Sequence, residues 1–172
     1  WKLRGSLIGR LCGMGIPMGL QYSITAIGSV ILQTAVNGLG SVAVAAVTAA
    51  SKLSMVFACV FDALATTMAT FAGQNVGAKK LDRINQGLRS AGLVGIVYCL
   101  LAFLTMWLAG KQLISLFVSA GDTEVIEKAY RFLLINGAFY IPLLFVNIVC
   151  LSIQGMGFTQ MAVLAGVFEM IA

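Results

Sequence analysis

The sequence predicts an all-α integral membrane protein, a polytopic bundle of transmembrane helices. Of its 172 residues, 60% are hydrophobic and only 10% are charged. No charged residue lies between Arg10 and Lys52. A soluble domain has about 25% charged residues, whereas a helix of about 20 apolar residues can cross the hydrocarbon core of a bilayer. So few charges cannot cover so much apolar side chain, and most of it must face lipid.

Breaks in hydropathy divide the chain into four complete spans and part of a fifth, all in one partial membrane lobe. Glycines in the segment 38–41 end the first helix, and the polar connector 73–83 ends the second. Thr123 or Asp122 can cap the fourth. Because the sequence begins at Trp1 and stops in an apolar stretch, we expect a fragment of a longer protein. The predicted spans are 13–37, 42–74, 88–109, 125–154 and the truncated 160–172.

Two of these spans carry features that bear on packing. The third span has small residues at intervals of three or four residues, a spacing that lets membrane helices approach closely. They are Gly92, Gly95, Cys99 and Ala102. In the fourth, Pro142 lies in the helix interior and is expected to kink the axis. Such a kink either serves packing or, as in many transporters, lies beside a cavity.

Basic residues predict the orientation of the chain. They occur before the first span and in the connector 73–90, whereas the loop 38–41 has none. Cytoplasmic loops are enriched in Lys and Arg. The N-terminus and the connector 73–90 are therefore predicted to lie in the cytoplasm, with the protein a multi-pass component of the cytoplasmic membrane.

The composition also argues against several function classes. There is no histidine, and the four cysteines are scattered through apolar runs. No nucleophile and base or metal-ligand spacing is present, so an enzyme, a metal site or a bound cofactor is not expected. The net charge of +5 comes without a basic stripe interleaved with aromatic residues, so no nucleic-acid partner is expected.

Polar residues form two rows within predicted spans, where lipid contact would be costly. The first span has five of them at intervals of four, and the fourth span has three at intervals of seven. Each row either makes hydrogen bonds between helices or lines a water-filled cavity that receives substrate. The rows are Gln21, Thr25, Ser29, Gln33 and Asn37, and then Tyr140, Asn147 and Gln154.

Two acidic residues are candidates for binding a coupling cation. Asp62 lies near the middle of the second span, on what looks like an inward ridge of small residues comprising Ala58, Ala65, Ala69 and Ala72. This carboxyl group is a proton or cation site, a structural hydrogen-bonded acid, or a residue that lies nearer the membrane interface than the span boundaries indicate. Glu169, about ten residues into the last segment, is the second candidate.

Several segments resemble the C-terminal lobe of the multidrug and toxic compound extrusion (MATE) family. The run Ala69–Ala78 matches a T-F-x-G-Q-N-x-G-A signature, with Ala49–Lys52 before it and Arg83 after it. Further landmarks follow in the same order at helix boundaries. They are Gly15–Pro17, Ile31–Gln33, Asn37–Gly40 and Gln154–Thr159.

The resemblance implies a lobe of a two-lobe, twelve-helix antiporter that exports drugs or organic cations in exchange for Na⁺ or H⁺. The substrate would be a small amphipathic cation, and the N-terminal lobe of the same polypeptide would be the partner. Some members carry acids in the seventh and tenth helices, which here have none, so coupling would use Asp62, Glu169 or the other lobe.

Two alternative functions follow from the same residues. One is a flippase for lipid-linked oligosaccharides from the same superfamily, although Lys52 is the only basic residue inside a span. The other is a membrane subunit that only packs against partners, which would need neither Asp62 nor the broken helix at Pro142.

Overall fold

A computed structural model describes residues 5–118, 122–159 and 161. Glu169 and, apart from Met161, the predicted span 160–172 lie outside the described residues. The described chain forms five helices. They are α1 (Gly5–Asn37), α2 (Ser41–Gly77), α3 (Leu81–Ser115), α4 (Thr123–Ala138) and α5 (Tyr140–Gly155).

The helices have the length and composition of membrane spans. In the part of the chain that the structure describes, α1 from Leu11, α2 and α3 are each long and apolar enough to cross a membrane. The bent pair of α4 and α5 is a fourth such element if it counts as one span. At 1.5 Å per residue, the 37 residues of α2 extend about 55 Å, which exceeds the hydrocarbon core by about 25 Å. The helices must therefore tilt or protrude.

The core of the lobe forms where α2 packs against α3, α4 and α5. Phe61 of α2 is 1% exposed, and its ring meets the rings of Tyr98 and Tyr140 edge to face, with centroids 5.5 and 5.1 Å away. In contrast, α1 packs mainly against α2 among the described helices and leaves most of its side chains exposed. The lobe is thus a four-helix core with α1 at its side.

Small residues of α3 allow the bulky residues of its neighbours to approach. Gly92, Gly95, Cys99 and Ala102 are all buried, which confirms the predicted packing face. A Cβ atom on Gly95 would meet the side chain of Leu144 of α5. In a membrane the hydrophobic effect does not drive helices together, because lipid tails are as apolar as the side chains. Close van der Waals packing through small residues stabilises the contact between helices instead.

The C-terminal ends of α2 and α5 cross with almost no space between their backbones. A Cβ atom on Gly73 would lie 2.8 Å from the carbonyl oxygen of Gly155. A Cβ atom on Gly155 would overlap the backbone of Ala69. Only glycine fits at either position, so the crossing depends on both.

The end of α2 is closed by its own backbone and one side chain. The amide N–H of Lys80 donates to the carbonyl of Asn75 over 2.9 Å, and Lys79 adopts the left-handed conformation with φ of 57°. The buried amide of Asn75 donates from Nδ2 to the carbonyl of Phe71 over 2.8 Å. The Lys80 bond satisfies a carbonyl that the end of the helix leaves unpaired, and the Asn75 bond pairs the amide of a buried side chain.

The predicted span 125–154 is two helices that meet at Phe139 with a bend of 51°. The bend lies one turn before Pro142, which confirms the predicted kink and places it. Proline lacks the N–H that would donate to the carbonyl of Ala138 four residues earlier, and its ring pushes that carbonyl aside. The helix therefore breaks at Phe139 rather than at the proline.

Candidate functional site

An open groove, lined by α2 alone among the described residues, runs along one face of that helix. Its volume is about 650 Å³. We call it the α2 groove, and its lining residues are Asp62, Ala63, Thr66, Thr67, Thr70, Phe71 and Gln74. Four of them, Asp62, Thr66, Thr70 and Gln74, recur every four residues and so form one row along the helix. The carboxyl of Asp62 and the amide of Gln74 in this row would be costly to expose to lipid.

The three threonines present oxygen acceptors to the groove. Each hydroxyl donates its hydrogen to the carbonyl one turn earlier. Thr66 donates to Asp62 over 2.6 Å, Thr67 to Ala63 over 2.7 Å and Thr70 to Thr66 over 3.1 Å. Because the only hydrogen of each hydroxyl is used within the helix, its lone pairs are what remain for a ligand. Together with the Asp62 carboxylate, these oxygens favour a cation.

The ridge of small residues on α2 packs inward as expected, but Asp62 does not pack inward with it in the described lobe. Ala65 and Ala72 of that ridge are buried, but Asp62 is exposed at its edge. The face of α2 that packs into the core carries the bulky residues Phe61 and Met68. Asp62 nevertheless lies deep along the helix, 15 residues or about 22 Å before Gly77.

The residues of the polar row of α1 differ in their burial. Gln21 and Thr25 are partly buried, whereas Ser29, Gln33 and Asn37 are exposed. Gln33 donates from Nε2 to Oδ1 of Asn37 over 3.0 Å, and the hydroxyl of Ser29 donates to the Thr25 carbonyl over 3.0 Å. The exposed half of the row thus satisfies part of its hydrogen bonding within α1, and the cavity role of these five residues stays a prediction.

One residue of the α1 row makes the long-range contact that interhelical bonding predicts. Gln154 at the end of α5 donates from Nε2 to Oε1 of Gln21 over 3.1 Å. Gln154 is 5% exposed. Gln21, the first residue of the α1 row, is therefore in direct contact with Gln154, the last residue of the α5 row.

The other members of the α5 row lie in different environments. Tyr140 is 3% exposed, inside the core against Phe61. Within the described residues its hydroxyl and that of Ser54 are buried without a well-formed hydrogen bond. Asn147 is partly buried and donates from Nδ2 to the carbonyl of Leu143 over 3.1 Å.

The threonines of the α2 groove were not identified from the sequence as site residues. The signal was present, because Asp62, Thr66, Thr70 and Gln74 have the same interval of four as the row on α1. Threonine is a weak signal in a span because its hydroxyl can bond to its own helix and then tolerates lipid. Among the described residues, no group of three or more His, Cys, Asp or Glu side chains could hold a metal ion.

Comparison with known proteins gives a family match over most of the chain. The MatE family model matches residues 17–172. A probable multidrug resistance protein of Bacillus subtilis (strain 168), YpnP, is 30% identical over 136 residues, which are 79% of this chain and 30% of that protein. No solved structure matched significantly.

A second relative gives the same proportions. The probable multidrug resistance protein YoeA of the same organism is 23% identical over 135 residues, 78% of this chain and 29% of that protein. The matched part of this chain thus spans about 30% of the length of either relative.

Proposed function

The chain belongs to the MatE family, and on that premise we propose that it is part of a cation-coupled antiporter. The whole protein would export amphipathic, cationic small molecules across the cytoplasmic membrane by alternating access, in exchange for Na⁺ or H⁺. The names of the two relatives, both probable multidrug resistance proteins, support export of drugs. The apolar helices α1, α2 and α3 place the chain in the membrane as a multi-pass protein.

The proposal includes an N-terminal lobe in the same polypeptide. The chain matches about 30% of the length of its relatives, so most of such a protein lies outside it. Transporters built from repeats bind substrate near the membrane midplane, between the repeats, and move one repeat against the other. The exposed polar faces of α1 and α2 would then meet the shared cavity rather than lipid.

The observation that carries the proposal is the α2 groove. It combines an exposed carboxylate about 22 Å from the end of α2 with threonine oxygens whose hydrogens are already used. An acid inside a membrane is costly and is usually retained for ion or proton pathways. We assign Asp62 as the coupling site and Thr66 and Thr70 as neighbours that contact the cation. Glu169 would take this role if Asp62 does not.

The alternative function, a flippase for lipid-linked oligosaccharides, has less support. A pyrophosphate group would be recognised by basic side chains, since these form strong charge-assisted hydrogen bonds. The α2 groove is lined by one acid and by no basic residue. Its charge therefore favours a cationic substrate over an anionic one.

The test is Asp62→Asn in the full-length protein, reconstituted in vesicles. The amide keeps the size of the side chain but cannot titrate or carry charge. We expect normal folding and drug binding but at least a tenfold loss of export driven by a Na⁺ or pH gradient. Applying the two gradients separately to the unaltered protein identifies the coupling ion.

Asp82→Asn is the matched control, because Asp82 is an exposed acid in the first turn of α3. It should leave export unchanged. Normal ion-driven export by Asp62→Asn, corrected for protein amount, would exclude Asp62 as the coupling site. Loss of folding without loss of export per folded molecule would assign it a structural role.

A further inference from the structure

A second groove lies between α3 and α5, on the outside of the lobe, with a volume of about 480 Å³. We call it the α3–α5 groove. Every lining residue but one is apolar or glycine, and the exception is Arg89 at its cytoplasmic end. The lining residues that matter for its ligand are Arg89, Gly92, Leu93, Ile96, Phe145 and Val149.

Its walls can hold an aliphatic chain. Gly92 contributes no side chain, and a Cβ atom there would lie 3.4 Å from Cε1 of Phe145. Leu93 is 67% exposed, and Phe145 and Val149 are each 44% exposed, so the apolar walls are open. In a membrane, surface of this kind contacts acyl chains.

The depth of Arg89 matches that of lipid headgroups. The 35 residues of α3 extend about 52 Å, roughly 20 Å more than the hydrocarbon core. Arg89 is eight residues, about 12 Å, from the start of the helix at Leu81. The groove continues from Arg89 to Ile96, about 10 Å toward the membrane interior.

The charge around the groove favours an anionic lipid over a neutral one. The connector and the start of α3 carry Lys79, Lys80, Arg83 and Arg89 against a single acid, Asp82. None of the ion pairs among the described residues involves Arg89. A guanidinium group binds phosphate through two parallel hydrogen bonds, and basic residues at the cytoplasmic surface attract anionic lipids.

We propose that the α3–α5 groove binds an anionic phospholipid, with the phosphate on Arg89 and an acyl chain over Gly92 and between Leu93 and Phe145. This site is separate from the α2 groove and does not depend on the transported substrate. It would anchor the cytoplasmic end of α3 to α5 through the bound lipid.

The test uses the full-length protein in vesicles of phosphatidylethanolamine and phosphatidylglycerol. The photoreactive residue p-benzoyl-phenylalanine replaces Leu93, and mass spectrometry identifies what is cross-linked. The matched control position is Leu100, which is two turns further along α3, 60% exposed and outside the groove. We expect phosphatidylglycerol to be enriched about fivefold at position 93 over its share of the vesicle, and not at position 100. By the conversion of about 1.4 kcal/mol per tenfold, this is about 1 kcal/mol.

Two variants then separate the headgroup from the chain. Arg89→Gln should abolish the enrichment, whereas Arg83→Gln, on the same helix but outside the groove, should keep it. Gly92→Leu should reduce total lipid cross-linking at position 93 while Arg89 is intact, because the side chain fills the groove. Enrichment that survives Arg89→Gln, or that is equal at positions 93 and 100, would overturn the proposal. Cross-links from position 93 to another segment of the protein would overturn it as well.

Discussion

The side chains of Gln154 and Gln21 join α5 to α1, with Nε2 of Gln154 donating to Oε1 of Gln21 over 3.1 Å. The same nitrogen lies 3.2 Å from Sγ of Cys150, one turn earlier in α5. Most of α1 is exposed, and its remaining packing is against α2. This amide pair is therefore a specific contact that sets the position of α1 against the packed core.

We expect the two glutamines to be energetically coupled. Gln21→Leu and Gln154→Leu should each lower the stability of the full-length protein, because each leaves a partly buried amide without its partner. The double variant should be less destabilised than the sum by about 0.6 kcal/mol, the average for interhelical hydrogen bonds in membranes. Unfolding in mixed detergent measures the free energy of unfolding of the two single variants and the double variant.

The matched control for this pair is Gln33→Leu combined with Gln154→Leu. Gln33 belongs to the same row of α1 but bonds within its own helix, to Asn37. Its effect should add to that of Gln154→Leu, since independent sites are additive. Additivity in the Gln21 pair would show that the contact contributes nothing to stability.

Gly155→Ala should destabilise the protein by about 1–3 kcal/mol, the cost of overpacking a filled site. The added methyl group would overlap the backbone of Ala69, which cannot rotate away as a side chain could. Gly77→Ala is the control, because a Cβ atom there meets nothing within 4 Å. Thermal unfolding of the two variants in detergent should differ clearly, and equal midpoints would refute the tight crossing of α2 and α5.

The sequence predicts the helical class and the packing face of α3 because both depend on local pattern. Hydropathy reveals apolar helices, and the spacing of Gly92, Gly95, Cys99 and Ala102 reveals a face that admits neighbours. The ends of helices are predicted less well. Residues 81–87 form the first two turns of α3 although most of them are polar, because helix turns beyond the hydrocarbon core need not be apolar.

Pro142→Ala should reduce the bend between α4 and α5. Alanine restores the N–H that can donate to the carbonyl of Ala138 and removes the ring that displaces it. With spin labels at Glu124 and Val149, at 1.5 Å per residue, loss of the 51° bend would lengthen the separation by about 3 Å. Double electron–electron resonance on a variant without native cysteines measures the distance. An unchanged distance would show that tertiary packing, rather than the proline, holds the bend.

The α2 groove shows where sequence reasoning fails. The small residues Ala65 and Ala72 face inward as expected, but so do the bulky Phe61 and Met68, while Asp62 beside them stays exposed. Met68 fits because α3 has a glycine opposite it. A Cβ atom on Gly87 of α3 would lie 3.3 Å from Cε of Met68. Which of two helices carries the small residues at a contact depends on both sequences together, so a single span cannot reveal the buried face.

The orientation of the chain is tested by labelling. Lys80 is predicted to lie in the cytoplasm, because the connector between α2 and α3 carries the strongest positive bias. In whole cells, Lys80→Cys should resist an impermeant thiol reagent applied outside. Leu39→Cys, in the exposed turn between α1 and α2, should react with it. The reverse pattern would invert the orientation of the lobe.

The last prediction separates the threonines of the α2 groove from other threonines in the lobe. Thr66→Val and Thr70→Val keep the shape of the side chain but remove the oxygen that faces the groove. If these oxygens contact the coupling cation, each variant should weaken the apparent affinity of export for the coupling ion about tenfold, or about 1.4 kcal/mol, and leave drug binding normal. The stability of the folded protein should barely change, because the lost hydrogen bonds run to carbonyls already paired within the helix.

Thr105→Val is the control. Thr105 is an exposed threonine of α3, away from the groove, and its hydroxyl donates to the Leu101 carbonyl in the same way over 2.8 Å. The apparent affinity for the coupling ion, measured from the export rate of the full-length protein at a series of ion concentrations, should be normal in this variant. Equal effects of all three substitutions would show that the loss comes from helix stability and not from contact with the cation.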